Sequence, residues 1–332
     1  MSVKPIVGIL FGDPTGIGPE ITAKLAASGK LSEHCRPLLI GDARVLAAGQ
    51  KIAGVAFATV VVDDPREARW DGPVPLFDLK NFDPAEIELG KVSAQAGRVV
   101  GETVRTAIGL LRDGSIDGLT YAPFNKTALH QGGFPDDLHM MMDFLAWDGP
   151  VGEMNVLNNL WTTRATSHIP LKDVSAHLNA ENIVRAIRMA YQTLVRAGVN
   201  PPRVAVCALN PHAGEGGLCG REEIDVIAPA IALAAREGIR ALGPFSADTI
   251  FMNALRGKYD AVVTMYHDQG QIALKLMGPV GVTVIGGLPY AITTAAHGTA
   301  HDIAGQGKAD PEALERAVII AARMARSDKE KR

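Results

Sequence analysis

Short apolar runs rich in β-branched residues alternate with helix-length amphipathic stretches along this chain, and that alternation restricts the fold more than any other feature. Strand, helix and strand in succession form the unit of a parallel sheet covered by helices on both faces. SAQAGRVVGETVRTAIGLLRDG carries a helical apolar period, stops at Gly114 and is followed by the strand candidate DGLTYAP. AENIVRAIRMAYQTLVRAG repeats the arrangement: Asn179 suits an N-cap, Gly198 suits a C-cap, and RVAVCALNP supplies the next strand. The Pro- and Gly-rich segment 278–289 reads as a crossing between domains, and RSDKEKR as a solvated tail.

With 332 residues, 47% of them hydrophobic, the chain can bury a sizeable core, as two domains or one large α/β unit. Its net charge of -3, with interspersed signs, offers no basic surface for nucleic acid or an anionic membrane, so small ligands are the expected partners. No apolar run approaches the roughly 20 residues of a membrane helix. Asp13 and Pro14 end the N-terminal run before signal-peptide length, so it reads as a first buried strand. Cys35, Cys207 and Cys219 are an odd, scattered set without a CxxC pair, which argues against disulfides and thiolate metal sites and fits a reducing cytoplasm.

Four segments carry possible chemistry. His168, His212 and His267 each follow an apolar, strand-like run, in LWTTRATSHIP, VAVCALNPHAGEGG and AVVTMYHDQGQ. Strand ends converge in space, so three neutral imidazoles there could form an open divalent-metal site, with Asp248 and Asp268 as acidic neighbours. Such a site offers Lewis-acid chemistry at a carbonyl or hydroxyl oxygen. Taken singly, each histidine would merely cap a helix or donate to a carbonyl.

GDPTGIGPEI, residues 12–21, follows the first strand candidate, and Gly18-Pro19-Glu20 suits a helix start. Its glycines are not spaced as GxGxxG, so the segment is either a structural turn or a cradle for an anion or cofactor edge. FNKTALHQGG and DDLHMMMDFL place Lys126 and His139 in loop-like sequence, as ligands for a carboxylate or phosphate or as plain solvated charge. Met140, Met141 and Met142 read as core packing or as an adaptable pocket wall. In HGTAHDIAGQGKAD, Gly298 and Gly305 allow close backbone approach, Thr299 and Asp302 can meet hydroxyls, and Ala300 and Ala304 present a small apolar face. A plain loop and helix start would explain that segment as well.

Together, GDPTGIGPEI, NPHAGEGG, GPFSADTIF, YHDQGQIALK and HGTAHDIAG make the chain resemble the 4-hydroxythreonine-4-phosphate dehydrogenase family over nearly its whole length. The resemblance implies an isocitrate/isopropylmalate dehydrogenase-like α/β fold, two α/β/α domains with a cleft between them. Residues 1–125 with 285–332 would form the NAD side, and 126–284 the metal, substrate and dimerisation side. His168, His212 and His267 would bind zinc, or magnesium, cobalt or manganese, with the ligand at the position of His267 supplied by the partner subunit of a homodimer. His139 and Lys275 match substrate-binding residues. His297, Gly298, Thr299, Ala300, Asp302 and Gly305 match the loop that holds the adenosine half of NAD. The implied reaction is oxidation of a hydroxy acid's secondary alcohol by hydride transfer to NAD, followed by loss of the carboxylate β to the new ketone. Lys275, Asp248 and Asp268 are its catalytic candidates.

Departures from the family pattern bear on the substrate. Met140 and Met141 stand where the vitamin B6 biosynthetic enzymes carry Thr and Glu, Thr283 stands for Asn, and Ile292 for a substrate-binding Arg. Losing that Arg removes a charge-assisted contact to an anion such as phosphate. A pocket of Lys126, His139, Met140, Thr283 and Ile292 is therefore expected to suit a catabolic substrate, a cis-dihydrodiol carboxylate or a four-carbon acid-sugar phosphate, with the first favoured, and beside it stands a vitamin B6 pathway enzyme acting on 4-phosphohydroxythreonine. Lys126 keeps a basic residue near the substrate loop, which speaks for a phosphate. Outside the class stands a metal-dependent hydrolase or lyase that works without NAD.

Overall fold

The computed structural model describes residues 3–331. It contains two compact units, one formed by the chain through Gly149 with Val282–Val284 and Leu288 onward, the other by Pro150–Gly281 with Ile285–Gly287. Residues 126–149, placed in the second domain on sequence grounds, belong to the first unit. The helix Lys126–Gln131 is locked there against the helix Ala94–Arg112, since a Cβ at Gly97 would come within 1.8 Å of the Ala128 carbonyl oxygen.

Twelve strands follow in chain order. They are β1 (Ile6–Leu10), β2 (Arg36–Gly41), β3 (Thr59–Val61), β4 (Val74–Asp78), β5 (Gly118–Tyr121), β6 (Gly152–Leu157), β7 (Leu160–Arg164), β8 (Val204–Cys207), β9 (Ala241–Phe245), β10 (Ala261–Thr264), β11 (Val282–Gly286) and β12 (Ala291–Ala295). In the first unit the order is β3-β4-β2-β1-β5-β12-β11, parallel except for the β11–β12 pair. Val7, Ile9 and Leu10 are all buried, as expected of a parallel strand covered on both faces. The helix Glu312–Lys329 covers one face, and Thr293 Oγ1 donates to its Ala317 carbonyl at 2.9 Å.

The second unit runs β6-β7-β10-β8-β9, parallel apart from the β6–β7 hairpin. Its helix Ala180–Arg196 begins where the Asn179 side chain accepts from Asn182 N at 2.8 Å and ends before Gly198, whose φ of +87° stops propagation. The cap falls on Ala197, one place before the expected Gly198, which is the left-handed residue that follows it. Ile183, Ile187, Ala190 and Leu194 recur at helical spacing on its buried side. Each isoleucine or leucine buried there stabilises by about 2 kcal/mol. Among the described residues, no helix is long and apolar enough to cross a membrane. Burial pushes the Cys35 and Cys207 thiols up to about 12, so neither is a ready thiolate ligand.

Candidate active site

In the second unit, parallel strands β7, β10 and β8 are neighbours, and the chain leaving their carboxyl ends carries His168, His267 and His212 within a few residues. In open α/β sheets that edge is where ligands bind. The rings of His168 and His267 lie with centroids 5.3 Å apart, tilted by 45°. His267 opens the helix His267–Leu276, and its Nδ1 pairs with Asp268 Oδ1 at 2.7 Å. His212 Nδ1 pairs in the same way with Glu215 Oε1 at 2.7 Å. A carboxylate accepting from Nδ1–H leaves the Nε2 lone pair outward, which is the usual state of a metal-binding histidine. The donor chemistry therefore fits a divalent ion. Among the described residues, no three of His, Cys, Asp or Glu stand close enough together to hold one.

The segment bearing His212 is unusual. His212, Ala213, Gly214, Glu215 and Gly216 all have positive φ, between 45° and 80°, a left-handed turn in which three members are not glycine. Lys275 lies exposed on the last turn of its helix, and Asp248 is exposed in the first turn of the helix Ala247–Leu255. Asp268 is engaged with His267, which makes it a positioning group more readily than a base.

The first unit gathers different loops at the carboxyl ends of β1, β5 and β12. Asp13 N donates to the Pro123 carbonyl at 3.0 Å, and Ile17 N donates to that of Thr299 at 3.0 Å, so the GDPTGIG and HGTAHD segments are stitched together. The helix Gly18–Ala27 begins at Gly18 with Pro19 in its first turn, where a missing amide hydrogen is no loss. Asp13 Oδ1 accepts from Thr15 N at 2.8 Å and from Thr15 Oγ1 at 2.7 Å, and that hydroxyl also meets His301 Nε2 at 3.2 Å. Asp13 is 1% exposed, and its Oδ2 is buried without a hydrogen-bond partner. An orphaned buried oxygen beside loops of close backbone approach fits a ligand that brings its own donor. Thr299 is buried, Ala300 packs on the core, and His297, Gly298, Asp302 and Gly305 sit at the surface or partly so.

Burial raises the Asp13 carboxyl above its usual range, against the hydrogen bonds of Thr15. A raised folded-state pKa means that its contribution to stability is present below the unfolded value and is lost as pH rises through the folded one. Asp13→Asn keeps an acceptor for Thr15 and removes the buried charge. Urea unfolding at neutral pH should show the variant more stable by on the order of 1 kcal/mol, with the gain absent near pH 3; equal gains at both values would disprove a charge effect.

The same unit holds the expected substrate-loop residues. His139 Nδ1 lies 2.8 Å from Asp136 Oδ2, and Asp136 also caps the helix Asp137–Leu145 by accepting from His139 N. Lys126 Nζ is 3.9 Å from Asp137 Oδ1, whose other oxygen accepts from Tyr121 OH at 3.0 Å. Met140 and Ile292 are 1% and 0% exposed, and Met141 and Thr283 are also buried. As folded here these four are packing residues that present almost no surface to a substrate. Sequence reasoning passed over the Asp13, Thr15 and His301 cluster, Asp136, Glu215 and Glu223. GDPTG and NPHAGEGG held the signal for some of them, as polar residues locked among glycines.

The family model of the pyridoxal phosphate biosynthetic protein PdxA matches residues 33–321. A D-threonate 4-phosphate dehydrogenase of Cupriavidus necator is 41% identical over 326 residues, covering 97% of each chain. The crystal structure of 4-hydroxythreonine-4-phosphate dehydrogenase from Klebsiella pneumoniae superposes with a TM-score of 0.86 at 36% identity, covering 98% of this chain and 99% of that one. A terephthalate 1,2-cis-dihydrodiol dehydrogenase from Burkholderia xenovorans LB400 reaches 0.64 at 30% identity, covering 95% of this chain and 98% of the other. The chain belongs to the PdxA family.

Proposed function

We propose that the chain is an NAD- and divalent-metal-dependent dehydrogenase that oxidises the secondary alcohol of a phosphorylated four-carbon hydroxy acid and then releases its carboxylate as CO2. The observation that carries this reading is the set of three histidines leaving adjoining parallel strand ends, two of them with Nδ1 tied to a carboxylate, in a chain of this family. A divalent ion held by the three imidazoles would supply Lewis-acid polarisation of the substrate oxygen. NAD supplies the hydride acceptor. The protein's own part is orientation and charge. Asp268 and Glu215 hold the tautomers of His267 and His212, Lys275 neutralises a substrate anion, and Lys126 and His139 are cation and donor for a phosphate or carboxylate. Asp248 is the group to take the alcohol proton. The stitched loops of the first unit, with the buried Asp13 Oδ2 that has no hydrogen-bond partner and the surface of His297, Gly298, Asp302 and Gly305, are the proposed cofactor platform.

A homodimer belongs to the same proposal. Leu171, Leu218 and Leu276 are 70%, 82% and 84% exposed, and Ile272 lies one turn from Leu276 on the helix that His267 opens. Large apolar side chains bared beside each histidine segment are what a second copy would cover. Because His168 and His267 adjoin within one chain, we assign the ligand donated across the dimer to the position of His212, not to that of His267 as the family resemblance implied.

For the substrate, the burial of Met140 and Ile292 removes the main ground for a cis-dihydrodiol, since neither forms an open pocket wall. The names of the C. necator and K. pneumoniae relatives share a phosphorylated four-carbon hydroxy acid. NADH formation should be measured with D-threonate 4-phosphate, 4-phosphohydroxythreonine and a cis-dihydrodiol carboxylate, each with zinc, magnesium, cobalt or manganese. We expect a phosphorylated acid to be turned over best. Preference for the dihydrodiol would reverse the substrate assignment, and metal-dependent turnover without NAD would replace the dehydrogenase by a hydrolase or lyase.

A further inference from the structure

The turn that carries His212 places three residues other than glycine, His212, Ala213 and Glu215, in the left-handed region that L side chains disfavour, so neighbouring structure must hold it there. Within it His212 Nδ1 pairs with Glu215 Oε1 at 2.7 Å, and at its end Cys219 N donates to the Gly214 carbonyl at 3.0 Å and Leu218 N to that of Glu215 at 3.4 Å.

A second restraint comes from Glu223, which is 3% exposed and opens the π-helical stretch Glu223–Ile227. Its Oε1 accepts from Leu209 N at 2.8 Å and from Asn210 N at 2.7 Å, the last two amides before Pro211. Its Oε2 accepts from Asn210 Nδ2 at 3.0 Å, and the same amide nitrogen donates to Glu222 Oε2 at 2.7 Å. Glu222 is in turn held by Ser175 Oγ at 2.6 Å. The carboxylate also packs against the turn, since a Cβ at Gly214 would stand 2.7 Å from Glu223 Oε2 and only glycine fits there. Single π turns inside helices recur at functional sites. Here the π stretch places the carboxylate under the turn.

We propose that Glu223 is a positioning residue for His212: a buried carboxylate latch that fixes the exit of β8, forces the left-handed turn and so aims the His212 ring. The role requires two acceptor oxygens. Gln at 223 turns a donor toward Asn210 Nδ2 and Gly214, while Asp keeps the charge but falls a methylene short of Leu209 and Asn210. The proposal rests on the reading of His212 as a metal ligand, and two independent readouts separate the two ideas.

One readout is Co2+ binding, followed by visible absorption and calorimetry in the full-length protein. The other is amide hydrogen exchange at Leu209 and Asn210, with the helix Ala180–Arg196 as internal control. Glu223→Gln should weaken Co2+ binding about 10- to 100-fold, the usual effect of losing a group that orients a ligand. It should also speed exchange at Leu209 and Asn210 by a similar factor, leaving the control helix and NAD affinity unchanged. Glu223→Asp should fall between Gln and wild type on both. Wild-type Co2+ affinity in Glu223→Gln overturns the latch. If the wild type itself binds no Co2+, the metal reading fails, and the latch then stands or falls on exchange alone, unchanged protection at Leu209 and Asn210 overturning it.

Discussion

If the proposed site is right, His267→Ala should lower NADH formation by on the order of 10³-fold while shifting the free energy of unfolding by less than about 1 kcal/mol. The two effects separate because of where the ring sits. His267 is the first residue of its helix, partly exposed, and its contacts are the His168 ring and the Asp268 carboxylate, so the core loses nothing when it is cut back. On the proposed reading the site loses one of two adjoining imidazoles, and His168 with the position of His212 falls short of the three protein ligands a catalytic ion of this kind takes. Steady-state kinetics with saturating metal and NAD, beside urea unfolding of the same samples, measures both. Unchanged kcat would remove His267 from the site, and a fall in kcat that follows an equal loss of stability would assign it to folding instead.

The strand ends bearing the three histidines were legible because strands of β-branched residues stop where polar, glycine-bearing sequence begins, and β7, β8 and β10 do so. Asn179 and Gly198 marked a helix for the same local reason. What stayed hidden was long-range. The left-handed turn at NPHAGEGG depends on Glu223, eleven residues beyond His212, and no local preference announces His212, Ala213 or Glu215 at positive φ. Lys126–Gln131 fell on the wrong side of the domain boundary because its allegiance is set by the close approach of Ala128 to Gly97. Ile292 looked like a pocket residue by its place in the family pattern. In β12, however, side chains on both faces are covered, and a single sequence cannot tell a buried face from a lining one.

Valine at Gly16 should weaken NAD binding by about 100-fold and leave Co2+ binding at the histidines unchanged. A Cβ at residue 16 would lie 2.8 Å from both the Thr299 carbonyl oxygen and its Cβ, and the oxygen is backbone that cannot rotate away. The same carbonyl accepts from Ile17 N at 3.0 Å, so relief of the clash has to pull the GDPTGIG segment off the HGTAHD segment. That separation also disturbs the contact of Thr15 with His301, which closes the same loop pair. Overpacking of this kind costs about 1–3 kcal/mol of stability. The larger loss falls on the ligand, since a displacement of about 1 Å in a positioning segment is enough for a 100-fold effect. Calorimetric titration with NAD and with Co2+ on one protein sample tests the assignment. Equal weakening of both ligands would point to general unfolding, and unaltered NAD affinity would mean that the stitched loops of the first unit are a structural turn and not the cofactor platform.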